Sequence, residues 1–457
     1  MRKFDAIIIG SGQAGTPLAF RYAKEKKSVA FIEKEHLGGT CLNTGCTPTK
    51  AYVSSARRMW DAQHGEELGI LIPEGAKVDM SKIKARKDAL IQKSVDGITE
   101  GVEDNEYISF FRGAGKFVGR KVVEVNGEQM TAEHIHINVG GRPFVPPGYE
   151  DVPFLDNQSI LELEEVPEHL LIVGGSYIGL EFGQMFRRFG SKVTIIERND
   201  RIIGREDGQT SAAIQEFMEL EGIEFRLGSE CMTAEKGDRG EIIAKMDCGD
   251  LGKQEVKGSH LLLAVGRRPN TSFLDLEKTG ISMDDRGFIE VNDRLQTEVE
   301  GIFALGDCNG KGAFTHTAYN DFEIVSSNLF EQGGRSVSDR IMTYGLFVDP
   351  PLGRVGMTKE QARQSGRNVL YGYYPMSRVA RAKEKGETHG FMSVVIDADR
   401  KTFLGATVLG TGGDEVIAGI VNAMYAGMTY TQLRDSVQPH PTVAELIPTM
   451  LESLEKL

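Results

Sequence analysis

One punctuated pattern occurs twice in this chain, and it constrains the fold more than any other feature. Residues 4–9 (FDAIII) are a continuous apolar run that ends in Gly10-Ser11-Gly12-Gln13-Ala14-Gly15. A helix-forming stretch from Thr16 to Lys24 follows, then a second apolar run from Ser28 to Ile32 that closes on Glu33. Residues 170–173 (LLIV) lead in the same way into Gly174-Gly175-Ser176-Tyr177-Ile178-Gly179, a helical stretch from Leu180 to Phe189, and a run from Lys192 to Ile196 that closes on Glu197. Equal lengths of chain separate Gly10 from Glu33 and Gly174 from Glu197. An apolar run, a glycine turn, a helix and a second apolar run read as strand, tight turn, helix and parallel strand. Two copies predict an α/β chain with two such units.

The chemistry of each unit follows from its residue types. Glycines let the backbone approach a pyrophosphate, the N-terminus of the helix favours its negative charge, and an acid about 20 residues on accepts hydrogen bonds from ribose hydroxyls. Gly10, Gly12, Gly15 and Glu33 supply these parts in the first copy. In the second, Gly174, Gly179 and Glu197 do so, with Ser176 in place of the middle glycine. Serine fits there if its φ stays negative, and its hydroxyl could then donate a hydrogen bond. Glu197 repels a 2′-phosphate and so favours NADH over NADPH, although Arg198 beside it could accommodate one.

Between the copies the pattern reads as helices over roughly Thr47 to Gly65 and Met80 to Val102, then short strands around 107–139. TEVEGIFALGDC (297–308) reads as a strand ending on Asp307. From about residue 340, strands such as Phe391 to Asp397 and Phe403 to Leu409 alternate with helices such as Asp414 to Ala426, the pattern of a separate α+β domain. A chain of 457 residues is long enough for two to four domains. Its 66 acidic against 53 basic residues, a formal charge of -13, argue against nucleic acid and against a basic membrane-binding cluster. The run from Ala6 to Ile9 is too short for an export signal and no segment has the ~18 apolar residues of a membrane span, so a soluble cytoplasmic protein is expected.

Five cysteines in such a chain are not a disulfide framework, and Cys231, Cys248 and Cys308 stand far apart. Only Cys41 and Cys46, in GTCLNTGCTPTK, are close neighbours, and in a reducing compartment such a pair is more often catalytic than structural. Across a regular helix their axial separation alone would be about 7.5 Å, against the roughly 4.4–6.8 Å between Cα atoms that a disulfide takes. The segment between them must therefore be turned, which Asn43, Thr44 and Gly45 permit. Pro48 suits the first turn of a helix running through Lys50, so Cys46 lies near its positive end, where a thiolate is stabilised. An inert buried pair, or half of a zinc site, are the alternatives; only His36 stands near as a further ligand, and no metal is expected.

Together GSGQAG (10–15), GGTCLNTGCTPTK (38–50), GGSYIGLEFG (174–183), GRRPN (266–270), FALGDC (303–308) and HPTVAE (440–445) stand in the order found in the pyridine nucleotide–disulfide oxidoreductases, which the chain resembles over essentially its whole length. The group contains dihydrolipoamide dehydrogenase, glutathione reductase and mercuric reductase. The resemblance implies two Rossmann-like nucleotide-binding domains and a C-terminal α+β dimerisation domain: 1–147 for FAD, 148–268 for NAD(P), 269–338 completing the FAD domain, and 339–457 forming the interface of a homodimer. It implies that hydride from a nicotinamide reaches one face of the FAD ring while the disulfide lies against the other. Cys41 is then the thiol that attacks substrate and Cys46 the one against flavin. Glu33, Thr40, Gly115, Asp307, His316 and Ala318 would line the FAD site, Lys50 would pair with Glu181 near the flavin, and Gly266 would close the NAD(P) site.

His440 takes the acid–base role by the same resemblance, oriented by Glu445 within the first turns of a helix that Pro441 begins, and it serves the thiols of the partner subunit. FTHTAYNDFEIV (314–325) and PPLGRVGMTKEQAR (350–363) are most similar to mercuric-reductase-like flavoproteins, including a reactive-chlorine-resistance flavoprotein that reduces copper. True mercuric reductases end in a cysteine pair and lack the HPTxxE histidine, whereas here no cysteine follows Cys308. A disulfide reductase is therefore the first expectation. Reduction of a mercuric or cupric ion at the same thiols is the alternative, and a non-catalytic redox-responsive module leaves the Cys-Cys-His-Glu set without a use.

Overall fold

The computed structural model describes residues 1–71, 76–247 and 252–457, so Cys248 and the side chain of Cys231 lie outside what is described. The first apolar run becomes β1 (Arg2–Ile9), followed by α1 (Gly15–Lys24) and β2 (Val29–Glu33), with β2 parallel to β1 from Ala6 opposite Val29. The chain then leaves the sheet as α2 (Gly39–Asn43), α3 (Cys46–Gln63) and α4 (Met80–Glu103) and returns as β3 (Ile108–Arg112), parallel to β2. β4 (Lys116–Gly119), β5 (Val122–Val125) and β6 (Glu128–Ile137) form an antiparallel meander whose last strand pairs in parallel with β1, giving the order β3-β2-β1-β6-β5-β4.

Continuous apolar runs are needed because this sheet is covered on both faces. Ile7, Ile9, Ile32 and Ile135 pack with Leu274 and Ile289 on one face, while Ala6, Ile8 and Phe31 pack with Leu18, Tyr22 and Ile324 on the other. Truncating an isoleucine buried this completely to alanine costs about 2–5 kcal/mol.

β7 (Gly141–Pro143) precedes the second unit, made of β8 (His169–Val173), α5 (Tyr177–Phe189), β9 (Lys192–Ile196), α6 (Gly208–Leu220) and β10 (Ile223–Arg226). β11 (Glu230–Lys236), β12 (Ile242–Asp247) and β13 (Lys253–Gly258) make a small antiparallel sheet. β14 (His260–Leu263) then completes the parallel order β10-β9-β8-β14, and β15 (Arg267–Pro269) pairs with β7 as a two-stranded ribbon. α5 begins three residues before the apolar pattern suggests, because Ser176 occupies its N-cap position in an extended conformation.

β16 (Ile302–Ala304) adds in parallel to β6, and α7 (Thr315–Phe330) follows. The strand expected over 297–308 is thus only three residues long. Thr297 closes a turn onto Ile302 (2.9 Å between N and O), and Gly301 and Gly306 take φ of 78° and 75°, which ends the strand on either side.

The remaining chain builds one antiparallel sheet, β17-β18-β21-β20-β19-β22. In chain order it runs β17 (Thr343–Leu346), β18 (Leu352–Gly356), α8 (Lys359–Gln364), β19 (Val369–Pro375), α9 (Ala380–Glu384), β20 (Phe391–Asp397), β21 (Thr402–Leu409), α10 (Gly413–Tyr425), α11 (Tyr430–Arg434), α12 (Leu446–Glu452) and β22 (Glu455–Lys456). The architecture is the expected mixed α/β one. A helix starting at Pro441 is not found. His440 is kept out of the α region by the proline after it, Thr442 turns the chain by accepting from Glu445 N (3.2 Å), and the helix starts at Leu446 with Glu445 as its N-cap. Among the described residues no helix is long and apolar enough to cross a membrane.

Candidate active site

The two glycine turns are built alike. A Cβ on Gly10 would lie 2.3 Å from the Asn138 carbonyl oxygen, and one on Gly174 would lie 2.4 Å from that of Ala264; both glycines also have φ above 100°. A Cβ on Gly15 or Gly179 would meet the carbonyl of Gly10 or Gly174 at 2.1 and 2.0 Å. The closing acids repeat the correspondence. Glu33 Oε2 accepts from Ser11 N (2.9 Å) and its Oε1 from Glu35 N (2.8 Å), while Glu197 Oε2 accepts from Gly175 N (2.7 Å) and its Oε1 from Asn199 N (2.9 Å). Each acid thus braces the turn at the other end of its unit. Ser176 has φ −111°, so a side chain is carried there without strain.

The first turn has a second brace that the sequence pattern does not announce. Asn138, just past β6, accepts from Gly15 N (2.9 Å) and donates to the Leu305 carbonyl (2.8 Å), tying the start of α1 to the end of β16. A Cβ on Gly12 would lie 2.8 Å from Asn138 Oδ1, and one on Gly39 would lie 2.8 Å from Gly12 Cα, so the turn and the start of α2 are in direct backbone contact. Gly115 sits against Ile9 and Ile32, behind the ends of β1 and β2.

α2 carries Thr40 on its exposed side and Cys41, then ends; Thr44 and Gly45 break the helix, and α3 restarts on Cys46. The break brings the sulfurs together, both as free thiols in this structure. The hydrogen bond it shares with Cys46, and burial, push the Cys41 thiol far above its ordinary range. That same bond pulls Cys46 down to about 6, helped by the Thr315 hydroxyl and the Lys50 charge and opposed by burial and Glu181. At neutral pH the pair is one thiol and one thiolate.

Lys50, one turn along α3 from Cys46, reaches Glu181 of α5 at 2.5 Å. Phe347 completes this contact, donating its N–H to Glu181 Oε1 (2.9 Å) and placing its ring 4.5 Å from the lysine nitrogen. On the other side, Thr315 opens α7 with its hydroxyl 3.2 Å from Cys46 Sγ. His316 donates from Nε2 to the Thr343 carbonyl (2.6 Å) and stacks on Phe314 (5.3 Å between ring centroids), and burial lowers its pKa. Ala318 lies buried beside Gly306.

Asp307 is a carboxylate in a largely enclosed site. Burial raises its pKa and the charge of Arg267, 3.8 Å away, opposes the rise. The Arg267 Nε is itself buried without a hydrogen-bond partner among the described residues. Gly266 precedes it with φ 119° and open space around its Cα. His440 and Glu445 stand apart from this assembly within one chain. His440 Nδ1 is 2.9 Å from Glu445 Oε2, and its side chain is 76% exposed. No group of three or more His, Cys, Asp or Glu among the described residues is arranged to hold a metal ion.

Residues 4–321 match the pyridine nucleotide-disulphide oxidoreductase family, and residues 342–451 match the dimerisation domain of the same family. The chain belongs to the pyridine nucleotide–disulfide oxidoreductases. It is 34% identical over 461 residues to a dihydrolipoyl dehydrogenase of Thermus scotoductus, covering all of this chain and 98% of that one. It is also 34% identical to the probable pyridine nucleotide-disulfide oxidoreductase RclA of Escherichia coli, covering 97% of this chain and 98% of the other. The solved Cu(II) complex of the Escherichia coli HOCl-induced flavoprotein disulfide reductase RclA superposes with a TM-score of 0.89 at 32% identity, covering 99% of both chains.

As a member of this family the chain is an FAD- and NAD(P)-dependent oxidoreductase. Its first glycine turn fits the dinucleotide physically: side chains are excluded where a pyrophosphate would lie, α1 presents its N-terminus there, and a half-buried carboxylate and an unsatisfied arginine donor stand at Asp307 and Arg267. Four residues of the site were not foreseen as such. Ser11, Asn138 and Phe347 act by bracing others, and Thr315 sits one residue before a stretch that was.

Proposed function

We propose that the chain is an NADH-preferring disulfide reductase, with Cys41 and Cys46 as its redox centre. The observation that carries this reading is the broken helix that brings Cys41 and Cys46 together, with Cys46 at the N-terminus of α3, 3.2 Å from the Thr315 hydroxyl and one turn from Lys50, surroundings that lower its pKa and raise that of Cys41. When bound, FAD supplies the chemistry of accepting hydride from the nicotinamide and passing the electron pair to the cysteine disulfide. Cys46, with the lowered pKa, is the sulfur held as thiolate once that disulfide is reduced, and Cys41 carries the proton. Cys41, once deprotonated, attacks a substrate disulfide, forming a bond to one substrate sulfur while the other leaves as a thiolate. Cys46 then displaces the first substrate sulfur, restoring the Cys41–Cys46 bond.

The cycle needs a base to deprotonate Cys41 and an acid to protonate the leaving thiolate. His440, oriented through Nδ1 by Glu445 with its other nitrogen free to exchange a proton, supports that role for the cysteine pair of a second copy. The exposure of its ring and the match of residues 342–451 to a dimerisation domain support a homodimer in which residues from about 339 form the interface. In the same reading, residues 1–147 with 269–338 bind FAD through Gly10, Gly12, Gly15, Glu33, Thr40, Lys50, Gly115, Asp307, His316 and Ala318. Residues 148–268 bind the nicotinamide dinucleotide through Gly174, Ser176, Gly179, Glu181, Glu197 and Gly266. Glu197, held against the turn, supports NADH. A cytoplasmic location suits a pair that must be kept reduced.

A second reading, reduction of a cupric ion at the same thiols, is favoured by the likeness to a flavoprotein solved as a Cu(II) complex. One experiment separates the two. NADH oxidation is followed with lipoamide, glutathione disulfide or Cu(II) as acceptor, in the wild type and in His440→Ala. Disulfide reduction is expected to fall at least about 100-fold in the variant. Turnover with Cu(II) that survives the substitution while no disulfide is reduced by the wild type would establish the second reading instead.

A further inference from the structure

The Cys46 sulfur is hydrogen-bonded to a residue that belongs to neither the cysteine loop nor the lysine–glutamate pair. Thr315 is the first residue of the 16-residue α7, and Cys46 is the first residue of the 18-residue α3, so two helix N-termini converge on one sulfur. Their combined partial positive charge favours an anion between them. The hydroxyl closes the gap, with 3.2 Å separating Thr315 Oγ1 from Cys46 Sγ. The same hydroxyl also hydrogen-bonds Cys41, so it faces both sulfurs of the pair. Its position is fixed from behind: Thr317 Oγ1 accepts from Phe314 N (3.1 Å) and donates to the Phe314 carbonyl (2.7 Å), and His316 is anchored to the Thr343 carbonyl.

We propose that Thr315 is a catalytic residue of this enzyme, whose hydroxyl donates to the Cys46 sulfur and holds it as the thiolate of the reduced pair. The inference rests on the reading of Cys46 as the thiolate of the reduced pair, and it adds a determinant outside the conspicuous GTCLNTGCTPTK segment. A thiolate accepts a hydrogen bond more strongly than a disulfide sulfur does. The contact therefore strengthens once the Cys41–Cys46 bond has been reduced and negative charge rests on Cys46. The proton stays on the threonine oxygen throughout, so nothing is transferred and the hydroxyl is ready for the next cycle. Lys50 acts on the sulfur through space, whereas the Cys41 thiol and the Thr315 hydroxyl make direct contact with it.

The test uses the reduced holoenzyme and three chains: wild type, Thr315→Val, which keeps the shape and loses the donor, and Thr315→Ser, which keeps the donor. Iodoacetamide alkylation of Cys46 is measured across pH by peptide mass spectrometry, and the long-wavelength thiolate-to-flavin absorption is titrated in parallel. In Thr315→Val the alkylation midpoint is expected to rise by about one pH unit, a tenfold loss of thiolate at a given pH below it, the shift that one charge-assisted hydrogen bond produces. Thr315→Ser is expected to titrate with the wild type. A Thr315→Val midpoint equal to that of wild type overturns the proposal, and so does a Thr315→Ser midpoint displaced as far as that of Thr315→Val, which would make the effect one of packing. Absence of the absorption band from the wild type would instead overturn the placement of Cys46 against flavin, while the alkylation midpoints still decide the role of the hydroxyl.

Discussion

Lys50 Nζ lies 2.5 Å from Glu181 Oε2, and this contact joins the helix that begins on Cys46 to the helix that begins on the second glycine turn. The two charges act on the Cys46 sulfur with opposite sign, Lys50 lowering its pKa and Glu181 raising it. Lys50→Met should therefore raise the pH at which the thiolate forms, and Glu181→Gln should lower it. Alkylation of Cys46 across pH reads both. Shifts of the same sign in the two variants would show that disruption of the local fold, rather than the charge, is being measured.

The depressed pKa of Cys46 also links stability of the reduced enzyme to pH. A free thiol starts from 9.0 and Cys46 is lowered to about 6, so the unfolded chain binds this proton more tightly than the folded one. The stabilisation is fully present above pH 9, declines as pH falls through the window, and is gone once pH passes below about 6. Above pH 9 the raised Cys41 opposes it, because ionisation there favours the unfolded chain. The measurement is the difference in Tm between reduced wild type and reduced Cys46→Ser, taken from pH 6 to pH 9. It should widen in favour of the wild type as pH rises. A flat difference would mean that the thiolate is not preferentially held by the fold.

Asn138 should prove more important to FAD retention than its place outside every glycine motif suggests. Asn138→Ala removes the acceptor of Gly15 N and the donor to the Leu305 carbonyl, both buried. A buried amide left without a partner costs about 1–3 kcal/mol, and the loss falls on the turn proposed to cradle the FAD pyrophosphate. Lower FAD content after dialysis and a lower Tm are expected, with Cys46 alkylation unchanged in the fraction that keeps its flavin. Full FAD content would place the brace of this turn elsewhere.

Asn138 illustrates what the sequence could and could not convey. The glycine turns, their closing acids and the broken helix between Cys41 and Cys46 are local, since each depends on residue types a few positions apart, and the pattern carries them. The Lys50–Glu181 contact spans 131 residues and was reachable only through family resemblance. Asn138 reaches Gly15 across 123 residues and Leu305 across 167, Thr315 reaches Cys46 across 269, and nothing in their neighbourhoods marks them. The strand expected over 297–308 and the helix expected from Pro441 went wrong for a different reason. Apolar runs and prolines were read as regular structure where two positive-φ glycines and a residue preceding proline impose turns.

Cofactor choice should turn on Glu197. Its carboxylate accepts from Gly175 N at 2.7 Å and from Asn199 N at 2.9 Å, so it is pinned beside the glycine turn at the end of β9, where an adenosine ribose is held in such units. A 2′-phosphate brought to that position meets a fixed negative charge, and the neighbouring Arg198 is exposed. Glu197→Gln keeps an oxygen able to accept from one of the two amides and removes the charge. Relieving about 1.4 kcal/mol of repulsion corresponds to a tenfold change. The ratio of kcat/KM for NADPH to that for NADH should accordingly rise by about that factor, mainly through a lower KM for NADPH, because the substitution lies in the binding cleft and away from the sulfur site. A wild type that already turns over NADPH better than NADH would overturn the role given to this carboxylate, and would transfer the determinant to Arg198.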